Sequence, residues 1–86
     1  FTILDKFNKM SVLQTKVLKN KVKGYRAMQG DLTQQALADL VSCSRQTIIS
    51  IESSKFVPSV ELAIRLAQAL SVKVEDLFYF EEETKP

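Results

Sequence analysis

Apolar residues recur at helical spacing through the middle of the chain, interrupted by short polar breaks. The pattern predicts five helices with no alternating strand among them. The first runs from about Asn20 to Gln29, with Val22, Tyr25, Arg26 and Met28 on related faces, and Gly30-Asp31 ends it. Gly24 inside it costs about 1 kcal/mol relative to alanine. Thr33 supplies an N-cap oxygen for the second, whose stripe is Leu37, Ala38, Leu40 and Val41. Ser44 caps the third, with Ile48 and Ile51 inward. Pro58-Ser59 opens the fourth, where Leu62, Ala63, Leu66, Ala67 and Leu70 form the stripe. A short fifth is expected over 74–78, leading into Phe78-Tyr79-Phe80.

Both ends fall outside this pattern. In residues 1–18, Phe7, Met10, Leu13 and Val17 have helical spacing but no strong cap, which fits either a flexible or loosely docked arm or an extra helix. Residues 19–80 make one helical domain, and 81–86 read as a solvated acidic tail. The expected fold is therefore all-α.

With 86 residues the chain can build one modest core. No apolar run approaches the roughly 18 residues needed to span a membrane. The only cysteine, Cys43, excludes an internal disulfide and fits a cytoplasmic location. There is no histidine, so the commonest general base and metal ligand is missing. Neither of the two glycines belongs to a phosphate-binding loop. The expectation is a protein that is not an enzyme and holds no metal, cofactor or small-molecule ligand.

Net charge is +2, but it is unevenly spread: +2 over residues 1–18, +4 over 19–73 and −4 over 74–86. An acidic tail thus masks a basic central body, the polarity expected if one face meets phosphates.

The third helix sharpens this. On a wheel of about 100° per residue with Ile48 at the origin, Ile51 lies at about 300° and Ser44 at about 320°. Gln46, Ile49, Ser50 and Ser53 fall between about 100° and 200°, away from the core. That outward face carries amide, hydroxyl and aliphatic groups and no acid, and these can pair with base edges. Arg45 flanks it in the first turn, where a cation opposes the helix dipole unless an anion sits opposite. Glu52 projects toward the interior at about 40° and needs a partner, for which Arg26 is the best candidate.

The segments Leu32–Ala38, Ser44–Glu52, Pro58-Ser59 and Val74–Phe78, in this order and spacing, resemble the Xre family of phage-repressor and Cro-like helix-turn-helix regulators. The resemblance covers Arg26 to Phe78. It implies a compact five-helix, lambda-repressor-like domain, with residues 33–53 as the helix-turn-helix and 44–53 as a recognition helix in the major groove. It implies that Ala38 is the small residue at the helix crossing, and that Arg26 and Glu52 form a structural ion pair. Arg45, Gln46 and Ser50 would read bases, and Ile49 would either meet a thymine methyl or shield the interface. Gln34, Ser44, Thr47 and Lys55 would hold phosphates, Ser44 alternatively a base.

The implied activity is sequence-specific binding of double-stranded DNA by a transcriptional regulator, a repressor by family precedent. A homodimer would read a palindrome-like operator through half-sites about 34 Å apart. The expected dimer surface is Leu77, Phe78, Tyr79 and Phe80, with the N-terminal apolar residues as a second candidate. An antitoxin-like protein-interaction module is the competing reading. The sequence departs from the family at Ser42, Ser54 and Ser71, where glycine is usual, and each serine would cost about 1 kcal/mol in a left-handed turn. Cys43 stands where a small apolar residue is usual and reads as a small buried hydrophobe rather than a redox sensor.

Overall fold

A computed structural model describes residues 16–82. Among them are five helices and two strands, in the order β1 (Lys16–Asn20), α1 (Val22–Ala27), α2 (Gln34–Val41), α3 (Arg45–Glu52), α4 (Val60–Ala69), α5 (Val74–Leu77) and β2 (Phe78–Glu82). Helices dominate, but the fold is not all-α. β1 and β2 pair antiparallel, with Leu18 opposite Phe80 and Asn20 opposite Phe78. The strands cut across both expected boundaries, taking in Val17 and Leu18 at one end and Glu81 and Glu82 at the other. Of the amphipathic spacing read into the N-terminal region, Phe7, Met10 and Leu13 lie outside the described residues.

Side-chain oxygens start the middle helices. Thr33 Oγ1 accepts from the Ala36 N–H at 3.0 Å, Ser44 Oγ from Thr47 at 3.1 Å, and Ser59 Oγ from Leu62 at 3.1 Å. Each satisfies a donor that the first helical turn leaves unpaired. At α5 the Asp76 carboxylate reaches back to the Lys73 N–H. α1 is shorter than its sequence pattern. Asn20 belongs to β1, and beyond Ala27 the chain turns through Gly30 and Asp31, both at positive φ. Met28 is consequently exposed rather than on a buried face.

The core gathers Val22 from α1, Leu37, Ala38 and Val41 from α2, Ile48 and Ile51 from α3, Leu66 and Ala67 from α4, and then Leu70 and Leu77. Ala38 is fully buried in the α2–α3 unit, where a longer side chain would push the helices apart. Leu40 points outward despite its place in the apolar stripe. The strand pair closes the domain by joining its two ends, and the Lys21 N–H adds a 2.8 Å bond to the Leu77 carbonyl. No helix among the described residues is long and apolar enough to cross a membrane.

Candidate nucleic-acid interface

The turn between α2 and α3 sets the angle at which α3 is presented. Ser42 stands there at φ 59°, in the left-handed region. The Cys43 N–H then reaches back to the Ala38 carbonyl at 3.0 Å, closing a Schellman-type end to α2. Burial pushes the Cys43 thiol pKa up, so the group stays neutral beside the core.

α3 then buries Ile48 and Ile51 completely. Arg45, Gln46 and Ser53 are exposed, while Thr47, Ile49 and Ser50 are half-buried. The accessible face of α3 thus consists of one guanidinium, one amide, hydroxyls and part of an isoleucine. Ser44 and Thr47 are tied together, their hydroxyl oxygens 2.8 Å apart. The helix closes with Ser54 at φ 61°, after which the Lys55 and Phe56 N–H groups both donate to the Ser50 carbonyl at 2.9 and 3.2 Å. The segment that follows α3 is thereby anchored to the helix itself.

Glu52 turns the other way. Its side chain is only 6% exposed, and Arg26, 16% exposed, meets it with Nε at 2.8 Å from Oε2. Arg26 Nη2 lies 3.3 Å from Oε1, and Arg26 Nη1 donates to the Leu32 carbonyl at 2.9 Å. Gln34 Nε2 also donates to Oε1, at 3.0 Å, a third member of the network that sequence reasoning missed. The carboxylate therefore has donors on both oxygens, the condition under which a nearly buried charge is tolerable. The Gln34 amide spends one of its two hydrogens on Glu52 and keeps the other.

Two depressions flank α3. One, of about 640 Å³, is lined by Lys23, Arg26, Thr33, Gln34, Gln35 and Arg45. The other, of about 320 Å³, is lined by Ser44, Gln46, Thr47, Ser50, Lys55 and Phe56. Arg26 is committed to Glu52, whereas Lys23, Arg45 and Lys55 form no salt bridge among the described residues. Lys23 and Gln35 were not singled out from sequence. Lys23 lies one turn before Arg26 on α1, so helical spacing from the ion pair could have found it.

The helix-turn-helix family model matches residues 22–77, from the first residue of α1 to the last of α5. The chain belongs to the Xre-type helix-turn-helix family. An uncharacterized HTH-type transcriptional regulator of Methanocaldococcus jannaschii is 48% identical over 66 residues, which are 77% of this chain and 98% of that protein. The HTH-type regulator YgzD of Bacillus subtilis is 46% identical over 66 residues, with the same shares of the two chains. A third, from Archaeoglobus fulgidus, is 38% identical over 66 residues, 77% of this chain and 92% of its own.

Against the family's usual pattern, all three serines that replace glycine are left-handed: Ser42 at φ 59°, Ser54 at 61° and Ser71 at 58°. Each is followed by the backbone bond of a Schellman turn, Cys43 to Ala38, Lys55 to Ser50 and Val72 to Ala67, at 2.9–3.0 Å. All three turns close with the same bond, and serine carries the backbone strain.

The four residues expected to make a dimer surface separate. Leu77 is fully buried in the core and is not available to a partner, while Phe78 packs partly against the core and remains half-buried. Tyr79 at 38% and Phe80 at 55% exposure stay at the surface but on opposite faces of the strand pair, Tyr79 on the face of Val17 and Phe80 on that of its partner Leu18. Lys21 Nζ sits 5.5 Å from the Tyr79 ring centroid, which keeps one ring face occupied by a cation.

Proposed function

We propose that this protein is a transcriptional regulator that binds double-stranded DNA sequence-specifically, with α3 in the major groove. The observation that carries the reading is the acid-free outer face of α3 between two clefts, each bordered by a cation that forms no salt bridge among the described residues. Gln46 and Ser50 would read base edges, with Arg45 reaching a guanine or a phosphate from the first turn. Lys55, Thr47 and Ser44 would hold one backbone. Lys23 and the remaining Gln34 hydrogen would hold the other, fixing register without specifying sequence. The relatives named as HTH-type transcriptional regulators support the same role.

The functional unit in this reading is a homodimer acting as a repressor on a palindrome-like operator. The exposed ring of Phe80, on the sheet face it shares with Leu18, supplies the apolar surface for self-association, and Tyr79 with Val17 lies on the other face. Two copies of α3 would then enter successive turns of one DNA face, about 34 Å apart.

Selection of bound DNA from a random duplex pool at near-physiological salt tests the core of the reading. The expected result is an enriched, inversely repeated half-site, with Gln46→Ala costing about tenfold or more in affinity for it. A pool that stays featureless and binds only at low salt would overturn it. Light scattering tests the dimer: Phe80→Glu should yield a monomer, and an unchanged mass would remove this surface from consideration.

A further inference from the structure

Phe56 is the one aromatic ring among the polar groups that line the second cleft, with Ser44, Gln46, Thr47, Ser50 and Lys55. It is 47% exposed, an unfavourable state for so large an apolar surface in water. Its backbone position is fixed. The Phe56 N–H donates to the Ser50 carbonyl, as the Lys55 N–H does, so the Cα that carries the ring is tied to the end of α3. Phe56 also lines a shallow groove together with Leu18, Asn20, Pro58 and Phe78. The ring therefore stands beside the Gln46 and Ser50 face, next to Lys55, whose ammonium has no salt bridge among the described residues.

We propose that Phe56 is a direct DNA contact, packing its ring on an apolar part of the nucleotide whose phosphate Lys55 holds. This rests on the DNA-binding reading given above. DNA offers apolar surface at that level in two places, the thymine 5-methyl in the major groove and the face of a deoxyribose at its rim. In either case the ring adds affinity by leaving water, without charge and therefore without releasing counterions. Contact with a methyl would make Phe56 a specificity determinant. Contact with a sugar would make it a positioning residue that sets the depth of α3 in the groove.

The test uses the full chain and the duplex enriched by selection. Affinity is measured across a salt series for wild type, Phe56→Ala and Phe56→Leu, with each thymine of the half-site replaced in turn by deoxyuridine. Phe56→Ala should weaken binding about tenfold and Phe56→Leu by less, both with the wild-type salt slope. If the partner is a thymine methyl, wild type loses affinity at one deoxyuridine position and Phe56→Ala loses none there. If it is a deoxyribose, the loss is uniform across these duplexes.

Wild-type affinity in Phe56→Ala would overturn the proposal. So would a loss traced by sedimentation to weaker self-association. Should Phe56→Ala fail to fold, Phe56→Leu, which keeps an apolar side chain over the groove, decides in the same way. Failure of the wild type to enrich any DNA would instead overturn the DNA-binding reading itself.

Discussion

The Asn20 side-chain amide donates to the Ile51 carbonyl at 2.7 Å, while its oxygen accepts the Val22 N–H at 3.2 Å. One residue thereby joins the strand pair, the start of α1 and the last turn of α3, where helical carbonyls lack partners within the helix. Asn20→Ala removes both bonds, and the expected loss of stability is about 1–2 kcal/mol, read as a lower urea midpoint with an unchanged slope. Because α3 loses its tie to the sheet, hydrogen exchange at Ile51 and Glu52 should accelerate more than at Leu66. Equal acceleration at both places would show that Asn20 has no particular hold on α3.

Arg26 and Glu52 place a charge pair where neither partner tolerates the loss of the other. Arg26→Ala leaves a carboxylate 6% exposed with only Gln34 as a side-chain donor, and about 3 kcal/mol of stability should go. The paired replacement Arg26→Met with Glu52→Leu should recover most of it, because no buried charge remains. Gln34→Ala should cost only about 1 kcal/mol. Urea denaturation at one fixed protein concentration measures all of these, since a dimer's stability depends on concentration. Additivity of the Arg26 and Glu52 effects would mean that the pair contributes no coupling.

The helices were legible in sequence because their determinants are local. Thr33, Ser44 and Ser59 each stand one residue before a helix whose apolar stripe repeats at three and four, and each caps that helix. The orientation of Glu52 was legible for the same reason, since a wheel fixes where a side chain points once the helix is known. The strands were not, because their pairing is not local. Lys16–Asn20 meets Phe78–Glu82 only after five helices have brought the two ends together. Val17 alone fell in phase with Phe7, Met10 and Leu13, which concealed its strand character. For Leu77 and Phe78, three apolar neighbours after a helix do not reveal which of them reaches the core. The Gln34 bond to Glu52 depends on the α2–α3 crossing and left no pattern to read.

Ser42, Ser54 and Ser71 hold the left-handed region that costs a residue with a Cβ about 1 kcal/mol or more. Glycine at each position removes that strain but makes the unfolded chain more flexible, which returns part of the gain. Each Ser→Gly change should therefore stabilise by about 0.5–1 kcal/mol, and the three together should raise Tm by roughly 10 °C. They lie in separate turns, so the increments should nearly add. DNA affinity should respond unequally. Ser42→Gly and Ser54→Gly border α3 and release its orientation, whereas Ser71→Gly follows α4 and should leave binding alone. A fall in Tm for any one of the three would show that its hydroxyl contributes more than its backbone costs.

Cys43 supplies a test at the turn itself. Burial raises its pKa, so at a given alkaline pH the folded chain holds less thiolate than the unfolded chain. Alkylation by iodoacetamide should therefore be slower in the native protein than in urea, and its pH profile displaced upward. The stability consequence has the same sign. As pH rises through the ordinary thiol range the unfolded chain releases this proton first, so the fold loses stability progressively until the folded thiol also ionises. Cys43→Ala removes that contribution, and the variant's stability should fall less steeply than wild type between neutral and alkaline pH. Cys43→Ser keeps a polar group at a half-buried position against the core and should be the less stable of the two. Native alkylation as fast as in urea would mean that the turn opens readily, and with it the angle at which α3 is presented.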